Sequence, residues 1–299
     1  MIAALKEIFF LLVFFMIGFT LCRTKLVKSE HSKALSTLII YGFLPATIIR
    51  SFTKNFTIAN ISTYGLLLLV ATVLLLVNIG LSFLFAKLFG REPYEKAVYR
   101  YSSIIPNGNL GYGFSEGLLG TVGVLHFSIF NIPNCVYCYT FGYALLTKQK
   151  LSLKKLLNPV TIAMVLGCIL GLLPFDLPDV LQTLLDKAAA CTIPLCMVVI
   201  GIVISDFKVL KLFSNWRAVL FALIRMVALP LVLRFLLPLL PLEQIVIQMA
   251  VLLYALPCGM NSILFAKMVD EDVHFGAELV LVSNVIAIVS IPLITLGLF

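Results

Sequence analysis

The sequence has little charge. Only 12% of its 299 residues are Asp, Glu, Lys or Arg, whereas about a quarter are charged in a typical soluble domain. Hydrophobic residues make up 61% of the chain, and the mean hydropathy is +1.10. Because this imbalance extends over the whole length, most of the surface must face hydrocarbon. The apolar runs are too long and alternate too little for barrel strands, so the composition predicts an all-α polytopic membrane protein.

The sequence also lacks the motifs of common catalytic sites. It contains no G-x-S-x-G nucleophile, no H-E-x-x-H zinc pair and no pair of Asp-rich metal motifs. Its three histidines have no partner at metal-ligand spacing. An intramembrane enzyme is therefore disfavoured, and no metal or cofactor is expected. A receptor that does not transport is another alternative, but the lack of a water-facing domain in the sequence weighs against it.

The cysteines do not suggest disulfides or a metal site. All seven lie in or at the edge of an apolar run, where cysteine usually acts as a small hydrophobic residue. Cys135 and Cys138 form a C-x-x-C inside a predicted span, but the sequence has no second pair. Redox or metal-binding function is therefore disfavoured.

The net charge of +8 has an explanation in membrane topology. Lys and Arg concentrate in short segments between apolar runs, as the positive-inside rule describes. Basic charge can also attract nucleic acid, but no water-facing domain is large enough to form a groove or stacking platform. We therefore expect the lipid bilayer as a partner and no nucleic acid.

Ten apolar segments can be laid out, each about long enough for a hydrocarbon core of ~30 Å. Their approximate bounds are 2–22, 34–52, 61–87, 97–118, 122–146, 158–174, 180–205, 216–237, 244–268 and 275–298. The connections after the odd-numbered segments hold 16 of the 22 Lys and Arg residues. This distribution predicts that these connections are cytoplasmic and that both termini lie outside the plasma membrane. The first run has no signal-peptide cleavage site, so it is expected to be a permanent span.

Helix-breaking and polar residues recur between the two halves of the chain. The pairs are Gly18 and Gly167, Pro45 and Pro194, Pro106 and Pro257, and Asn131 and Asn284, which are 149 to 153 residues apart. Because each half has five spans, an odd number, the second half must enter the membrane from the opposite side. The sequence therefore predicts two inverted five-helix repeats, at residues 1–157 and 158–299.

Segments 4 and 9 are interrupted near their middle by Pro, Gly and Asn. Proline removes a backbone donor and clashes with the preceding turn, so each helix should open into two half-helices. The freed backbone groups then need protein or a wet cavity, and the start of the second half-helix favours an anion. The predicted binding residues at these breaks are Pro106, Asn107, Gly108, Asn109, Gly111, Pro257, Cys258, Gly259, Asn261 and Ser262. The alternative is a pair of kinks used only for packing.

Arg225 lies eight residues into segment 8 from Arg217, or ~12 Å deep. A charge at that depth is costly and usually functional. It is predicted to balance an anionic substrate or to pair with Glu116, and a purely structural role is the alternative. Asn131, Asn134, Ser283 and Asn284 are further candidates for the site, although Asn in membranes also joins helices by hydrogen bonds.

At these residues the chain resembles the auxin efflux carrier family, which includes plant auxin exporters and bacterial malonate-type carriers. Three motifs carry the resemblance: Gly108-Asn109-Leu110-Gly111, the series that starts at Asn158-Pro159, and the series Pro257, Asn261, Ala266, Ser283 and Pro292. The resemblance implies ten spans with spans 4 and 9 crossing at the substrate site. It also implies an elevator movement of spans 3 to 5 and 8 to 10 against spans 1, 2, 6 and 7. Gly113 and Cys258 depart from the family pattern and leave the substrate open.

The leading hypothesis is thus a secondary transporter of small organic anions, in particular carboxylates. A sodium- or proton-coupled antiporter or symporter of related inverted-repeat fold is the alternative. That alternative favours acidic residues at the crossing, and none is present in either break. The substrate, the coupling ion, the direction of flux, and the choice between a monomer and a homodimer are left open.

Overall fold

A computed structural model describes residues 2–148, 157–173, 177–205, 215–259, 261–262, 273–296 and 298. Within these residues every named element is helical. The α-helices are α1 (Ile2–Arg23), α2 (His31–Leu38), α3 (Leu44–Asn55), α4 (Ile61–Phe89), α5 (Pro93–Ile104), α6 (Gly108–Tyr137), α7 (Tyr143–Thr147), α8 (Pro159–Gly171), α9 (Asp179–Ala190), α10 (Thr192–Ser205), α11 (Trp216–Leu223), α12 (Leu229–Leu236), α13 (Gln244–Ala255) and α14 (Val273–Thr295).

Short π-helical segments join three pairs of these helices into longer rods. Ile39–Phe43 joins α2 to α3, Cys138–Gly142 joins α6 to α7, and Ile224–Ala228 joins α11 to α12. Conversely, α6 is interrupted at Gly120, whose φ of 65° and ψ of −153° are not helical. Only glycine adopts such a backbone readily, so this residue marks the turn between predicted spans 4 and 5.

Six helical stretches in the described part of the chain are long and apolar enough to cross a membrane. They are His31–Asn55, Ile58–Phe89, Leu110–Thr147, Asp179–Ile202, Trp216–Leu239 and Glu278–Thr295. Three apolar helices are shorter, namely Val13–Arg23, Pro159–Gly171 and Gln244–Ala255. The all-α membrane class is confirmed with these six helices, whereas the layout of ten spans stays a prediction. The numbers six and ten differ for two visible reasons. Predicted spans 4 and 9 are broken into shorter helices, and the stretch Leu110–Thr147 contains the Gly120 turn, so parts of predicted spans 4 and 5 count as one.

Two tight helix pairs are built on glycines. A Cβ atom at Gly18 of α1 would lie 2.1 Å from the Val198 carbonyl oxygen of α10, and one at Gly201 would lie 2.1 Å from the Phe15 oxygen. In the second pair, a Cβ at Gly171 of α8 would lie 2.8 Å from the Phe52 carbonyl oxygen of α3. Glycine thus allows each pair of backbones to approach closely, as at small-residue interfaces in membranes.

The ends of α3, α6 and α9 are joined by ion pairs. Arg50 Nη1 lies 2.9 Å from Glu116 Oε1, and the same arginine also pairs with Asp186. Lys54 Nζ lies 2.8 Å from Asp186 Oδ1. Beside them, Ser51 Oγ donates to the Thr121 carbonyl oxygen at 2.6 Å. These contacts connect α3 to the turn at Gly120.

The centre of the molecule is occupied by α13. Every residue from Val246 to Ala255 is buried. This helix packs against α4, α6, α12 and α14. Its mostly apolar sequence fits burial on all sides, and its one polar residue in this stretch, Gln248, donates to the Leu298 oxygen at 2.7 Å. The end of α13 is therefore held deep in the protein, where the site lies.

Candidate functional site

The breaks in predicted spans 4 and 9 lie against each other. The helix α5 ends at Ile104 and α13 ends at Ala255, and extended backbone follows each. Asn107 N donates to the Pro257 oxygen at 2.7 Å, and Gly259 N donates to the Ile105 oxygen at 3.1 Å. Pro106 and Cys258 thereby form an isolated antiparallel bridge. The two prolines therefore lie close together, and each break satisfies backbone groups of the other.

Two predicted glycines permit this crossing rather than leaving space for a ligand. A Cβ at Gly259 would lie 3.0 Å from the Pro106 oxygen. A Cβ at Gly111 would lie 2.0 Å from Phe127 Cζ and 2.7 Å from Leu256 Cδ1. Gly111 is therefore in close contact with the other break from within α6.

Arg225 binds the carbonyl ends of both half-helices that precede the breaks. Its Nε donates to the Ser103 oxygen at 3.2 Å, and its Nη1 donates to the Leu256 oxygen. Asn78 Nδ2 also donates to the Ser103 oxygen, at 2.8 Å. The arginine side chain is almost fully buried, with 1% exposure.

The predicted pairing of Arg225 with Glu116 is wrong, because Glu116 pairs with Arg50. The physical reason is the position of Glu116 on the second half-helix. It lies eight residues after Gly108, or ~12 Å farther along the axis. Arg225 instead contacts the end of the first half-helix.

A cavity opens beside the crossing. Its volume is about 120 Å³. Its polar lining consists of Asn107, Tyr112, Asn131, Asn134, Cys135, Cys138, Tyr139, Asn158 and Asn261, and its other lining residues are Ile40, Ile105, Pro106, Gly108, Pro159, Val160 and Gly259. No residue in this lining, as far as the structure describes it, is charged.

The start of α6 faces this cavity. Asn107 occupies the N-cap position, but its side chain makes no capping hydrogen bond, and Gly108 lines the cavity. The first N–H groups of a helix have no partner inside the helix and carry a partial positive charge. Tyr112, one turn farther on, has only 2% exposure. Its hydroxyl group makes no hydrogen bond of normal geometry within the described residues, but Ser128 and Asn131 lie close to it.

The second half of α6 contributes one polar face to the cavity wall. Asn131, Asn134, Cys135 and Cys138 are spaced at i, i+3, i+4 and i+7, which places them on one side of a helix. Asn131 Nδ2 donates to Cys135 Sγ at 3.4 Å, and Asn261 Nδ2 donates to Cys138 Sγ at 3.3 Å. Sulfur is a weak acceptor, so a stronger acceptor in the cavity can take over these amide donors.

Comparison with known families identifies the group to which the chain belongs. The model of the family described as membrane transport protein matches residues 3–153 and 145–295. The chain belongs to this family. The resemblance to the auxin efflux carrier family is thereby confirmed. The chain is also 23% identical over 280 residues to an uncharacterised transporter of Methanocaldococcus jannaschii, and the match covers 90% of each chain. The protein is a multi-pass membrane transport protein.

The structure divides the predicted site residues of this family member into two groups. Pro106, Asn107, Gly108, Asn131, Gly259 and Asn261 line the cavity. Gly111, Pro257, Cys258, Ser262, Arg225 and Asn284 are not part of the lining. The backbone of Asn109 lies in α6, and its side chain lies outside the described part of the structure. A role in substrate binding stays a prediction for every one of these residues.

Residues outside the lining have contacts elsewhere. Cys258 N donates to Ser283 Oγ at 3.0 Å, and Ser262 Oγ donates to the Gly259 oxygen at 3.1 Å. Asn284 Nδ2 donates to the Val280 oxygen of its own helix at 2.7 Å. These groups stabilise the crossing and α14.

Several lining residues were not among the predicted binding residues. They include Tyr112, Cys135, Cys138, Tyr139 and Asn158. The helical spacing of Asn131, Asn134, Cys135 and Cys138 is a signal that indicates a shared face. Nothing in the sequence marks Tyr112 and Tyr139 in this way, because an aromatic residue in an apolar run is usually interpreted as part of the hydrophobic core.

Proposed function

We propose that this protein is a secondary transporter of small organic anions, and that the cavity beside the crossing takes the carboxylate of the substrate. The observation that carries the proposal is the uncapped start of α6, which faces a cavity lined by amide, thiol and phenol groups. Free N–H groups at a helix start are suited to a carboxylate or phosphate. The buried Tyr112 hydroxyl lies at the same place, beside Asn131, and adds a further polar group to the cavity lining.

The wall of the cavity fits reversible binding of an anion. Five Asn residues line it, and carboxamides donate hydrogen bonds without fixed charge. A lysine or arginine in the wall would bind a carboxylate through a stronger, charge-assisted hydrogen bond. A carrier must release its substrate, so neutral donors suit a transported anion better than a fixed ion pair.

The position of the cavity supports an alternating-access mechanism of elevator type. Its lining includes Ile40, Asn158 and Val160, which adjoin the predicted cytoplasmic connections. The ion pair of Arg50 and Glu116 lies at the predicted outer side. We take this arrangement as an inward-open state in which predicted spans 3 to 5 and 8 to 10 move against spans 1, 2, 6 and 7.

The helix pairing supports the proposed inverted repeat. Predicted span 1 packs against span 7, and span 2 packs against span 6. If the two halves, 1–157 and 158–299, are exchanged, span 1 takes the place of span 6 and span 7 takes the place of span 2. The pair of spans 1 and 7 is then converted into the pair of spans 6 and 2. The proposal also places both termini outside the plasma membrane. The alternative of a sodium- or proton-coupled carrier with a different substrate is less favoured, because the described lining of the cavity contains no carboxylate.

A binding experiment tests this proposal. Purified protein in detergent is titrated with a panel of small carboxylates and with the primary amide of each one. We expect at least one carboxylate to bind and its amide, which has the same shape without the charge, to bind ~10-fold more weakly or worse. Equal binding of each acid and its amide, or no binding of any acid, would contradict an anion carrier.

A further inference from the structure

Arg225 is the buried cation nearest the crossing, yet it does not line the cavity. It projects from the π-helical segment Ile224–Ala228 and binds the Ser103 and Leu256 oxygens. These oxygens belong to the carbonyl ends of α5 and α13. One guanidinium group therefore joins both half-helices just before their breaks.

Among the described residues, the charge of Arg225 is balanced by these helix ends. No Asp or Glu within the described residues lies at ion-pair distance from it. A helix end carries about half an elementary charge, negative at the carbonyl end and positive at the N–H end. Two carbonyl ends thus carry about one negative charge, which is the amount that a single guanidinium cancels.

This cancellation matters because the opposite helix end is close by. The start of α6 follows α5 after only three residues, Ile105 to Asn107. Without Arg225, the negative end of α5 would offset the positive start of α6 that faces the cavity. With Arg225 in place, the positive potential at the start of α6 is left uncancelled.

We propose that Arg225 is a positioning residue that sets the charge of the substrate, so that the cavity selects ligands with one negative charge. This inference rests on the proposed function. The substrate class is then monocarboxylates, or dicarboxylates with one carboxyl group protonated. A second negative charge would find no cation in the described lining of the cavity, and burying a charge without a partner is costly.

The first test compares variants of Arg225 with a matched control. Arg234 is also on the rod formed by α11 and α12, and its Nη1 donates to the Ile294 oxygen at 2.7 Å, away from the crossing. We measure the Kd of a bound monocarboxylate and of its neutral amide for R225Q, R225K and R234Q. We expect R225Q to weaken carboxylate binding ~10-fold or more and to change amide binding little. R225K should restore carboxylate affinity, and R234Q should match the unaltered protein.

Two results of this test would overturn the inference. One is a folded R225Q variant with unchanged carboxylate affinity. The other is an equal loss of carboxylate and amide affinity, because that pattern indicates altered shape rather than altered charge. If the unaltered protein binds no carboxylate at all, the proposed function fails as well, so the two failures are distinguishable.

The second test uses the unaltered protein and remains decisive if R225Q does not fold. Binding of a dicarboxylate and of its monomethyl ester is measured between pH 5 and 7. The titratable side chains around Arg225 and the cavity are Tyr254, Cys258, Tyr112, Cys135, Cys138 and Tyr139, and thiols and phenols stay neutral in this range. The ester should bind equally throughout, and the dicarboxylate should bind more weakly as its second carboxyl group ionises. Dicarboxylate affinity that is constant or rises with pH would overturn the inference.

Discussion

Asn261 and Asn284 are a matched pair at the residue scale. Both were predicted to bind substrate, but only Asn261 lines the cavity, where its amide donates to Cys138. Asn284 donates to a carbonyl group of its own helix. The same substitution at the two positions therefore separates a contact with ligand from a contact within the protein.

We predict that N261A weakens carboxylate binding by ~2- to 10-fold, because it removes one neutral hydrogen-bond donor. N284A should leave the Kd unchanged within about a factor of two. Isothermal titration of both purified variants with the same ligand checks this. Equal affinities of the two variants would show that the Asn261 amide does not contact the substrate.

The sequence predicted the chemistry of the breaks better than the direction of individual side chains. Pro106 and Pro257 each end a helix, and that effect is local, so it is readable from the sequence. The partner of Arg225 depends on how one rod is rotated against its neighbours. The spacing from Arg217 gave a depth for Arg225, but depth alone does not distinguish Glu116 from the carbonyl groups that the arginine binds.

Gly111 and Gly117 provide a test at the scale of helix packing. Both lie in the first part of α6. A Cβ at Gly111 would overlap Phe127 and approach Leu256, whereas a Cβ at Gly117 would meet no heavy atom within 4 Å. Phe127 is itself fully buried, so the ring has little space to move away.

We predict that G111A destabilises the protein by about 1–3 kcal/mol through overpacking. G117A should be neutral or slightly stabilising, because alanine favours a helix over glycine by up to ~1 kcal/mol. Thermal unfolding in detergent, followed on both variants in parallel, provides the comparison. A Tm for G111A at or above that of G117A would be inconsistent with the close packing of the crossing.

The ion pair of Arg50 and Glu116 joins two elements that the elevator proposal assigns to different bodies. Glu116 lies on α6 and Arg50 on α3. The pair of Lys54 and Asp186 joins α3 to α9, and both of these helices belong to the proposed scaffold. The first pair should therefore break during transport, while the second should persist.

We predict that E116Q shifts the protein toward an outward-open state, because it removes the charge that holds α6 to α3. K54Q should have no such effect. The readout is labelling of G113C by an impermeant maleimide added outside, in an otherwise cysteine-free protein. Gly113 suits this label because, among the described residues, a Cβ there would have Ile193 as its one neighbour within 4 Å, at 3.9 Å. Faster labelling with K54Q than with E116Q, or equal rates, would rule out this role of the ion pair of Arg50 and Glu116.

Element boundaries show where sequence reasoning falls short. The predicted segments 34–52 and 216–237 correspond to rods that contain π-helical segments, and no residue pattern in the sequence indicates them. Apolar runs give the position of a helix, because the bilayer selects for length and hydrophobicity. The local hydrogen-bond pattern of a helix depends on its neighbours. An example is the π-helical segment Ile224–Ala228, from which Arg225 projects to bind the crossing.

At the scale of the whole molecule, the two glycine-based helix pairs make the inverted repeat a testable architecture. Gly18 and Gly167 are one of the pairs that recur between the halves. In the structure they lie in different helix pairs, α1 with α10 and α8 with α3, and each is in close contact with its partner helix. The two glycines thus have equivalent places in helix packing, as the proposed inverted repeat requires.

Uptake into proteoliposomes is the most direct test of whether this protein carries organic anions, because uptake requires both binding and translocation. Purified protein is reconstituted into liposomes and supplied with the radiolabelled carboxylate that binds most tightly, with protein-free liposomes and N261A as controls. We predict saturable uptake that is inhibited by the unlabelled carboxylate but not by the amide of that carboxylate. Uptake should also be slower with N261A than with the unaltered protein. Uptake no faster than in protein-free liposomes, or equal inhibition by acid and amide, would contradict an organic-anion carrier.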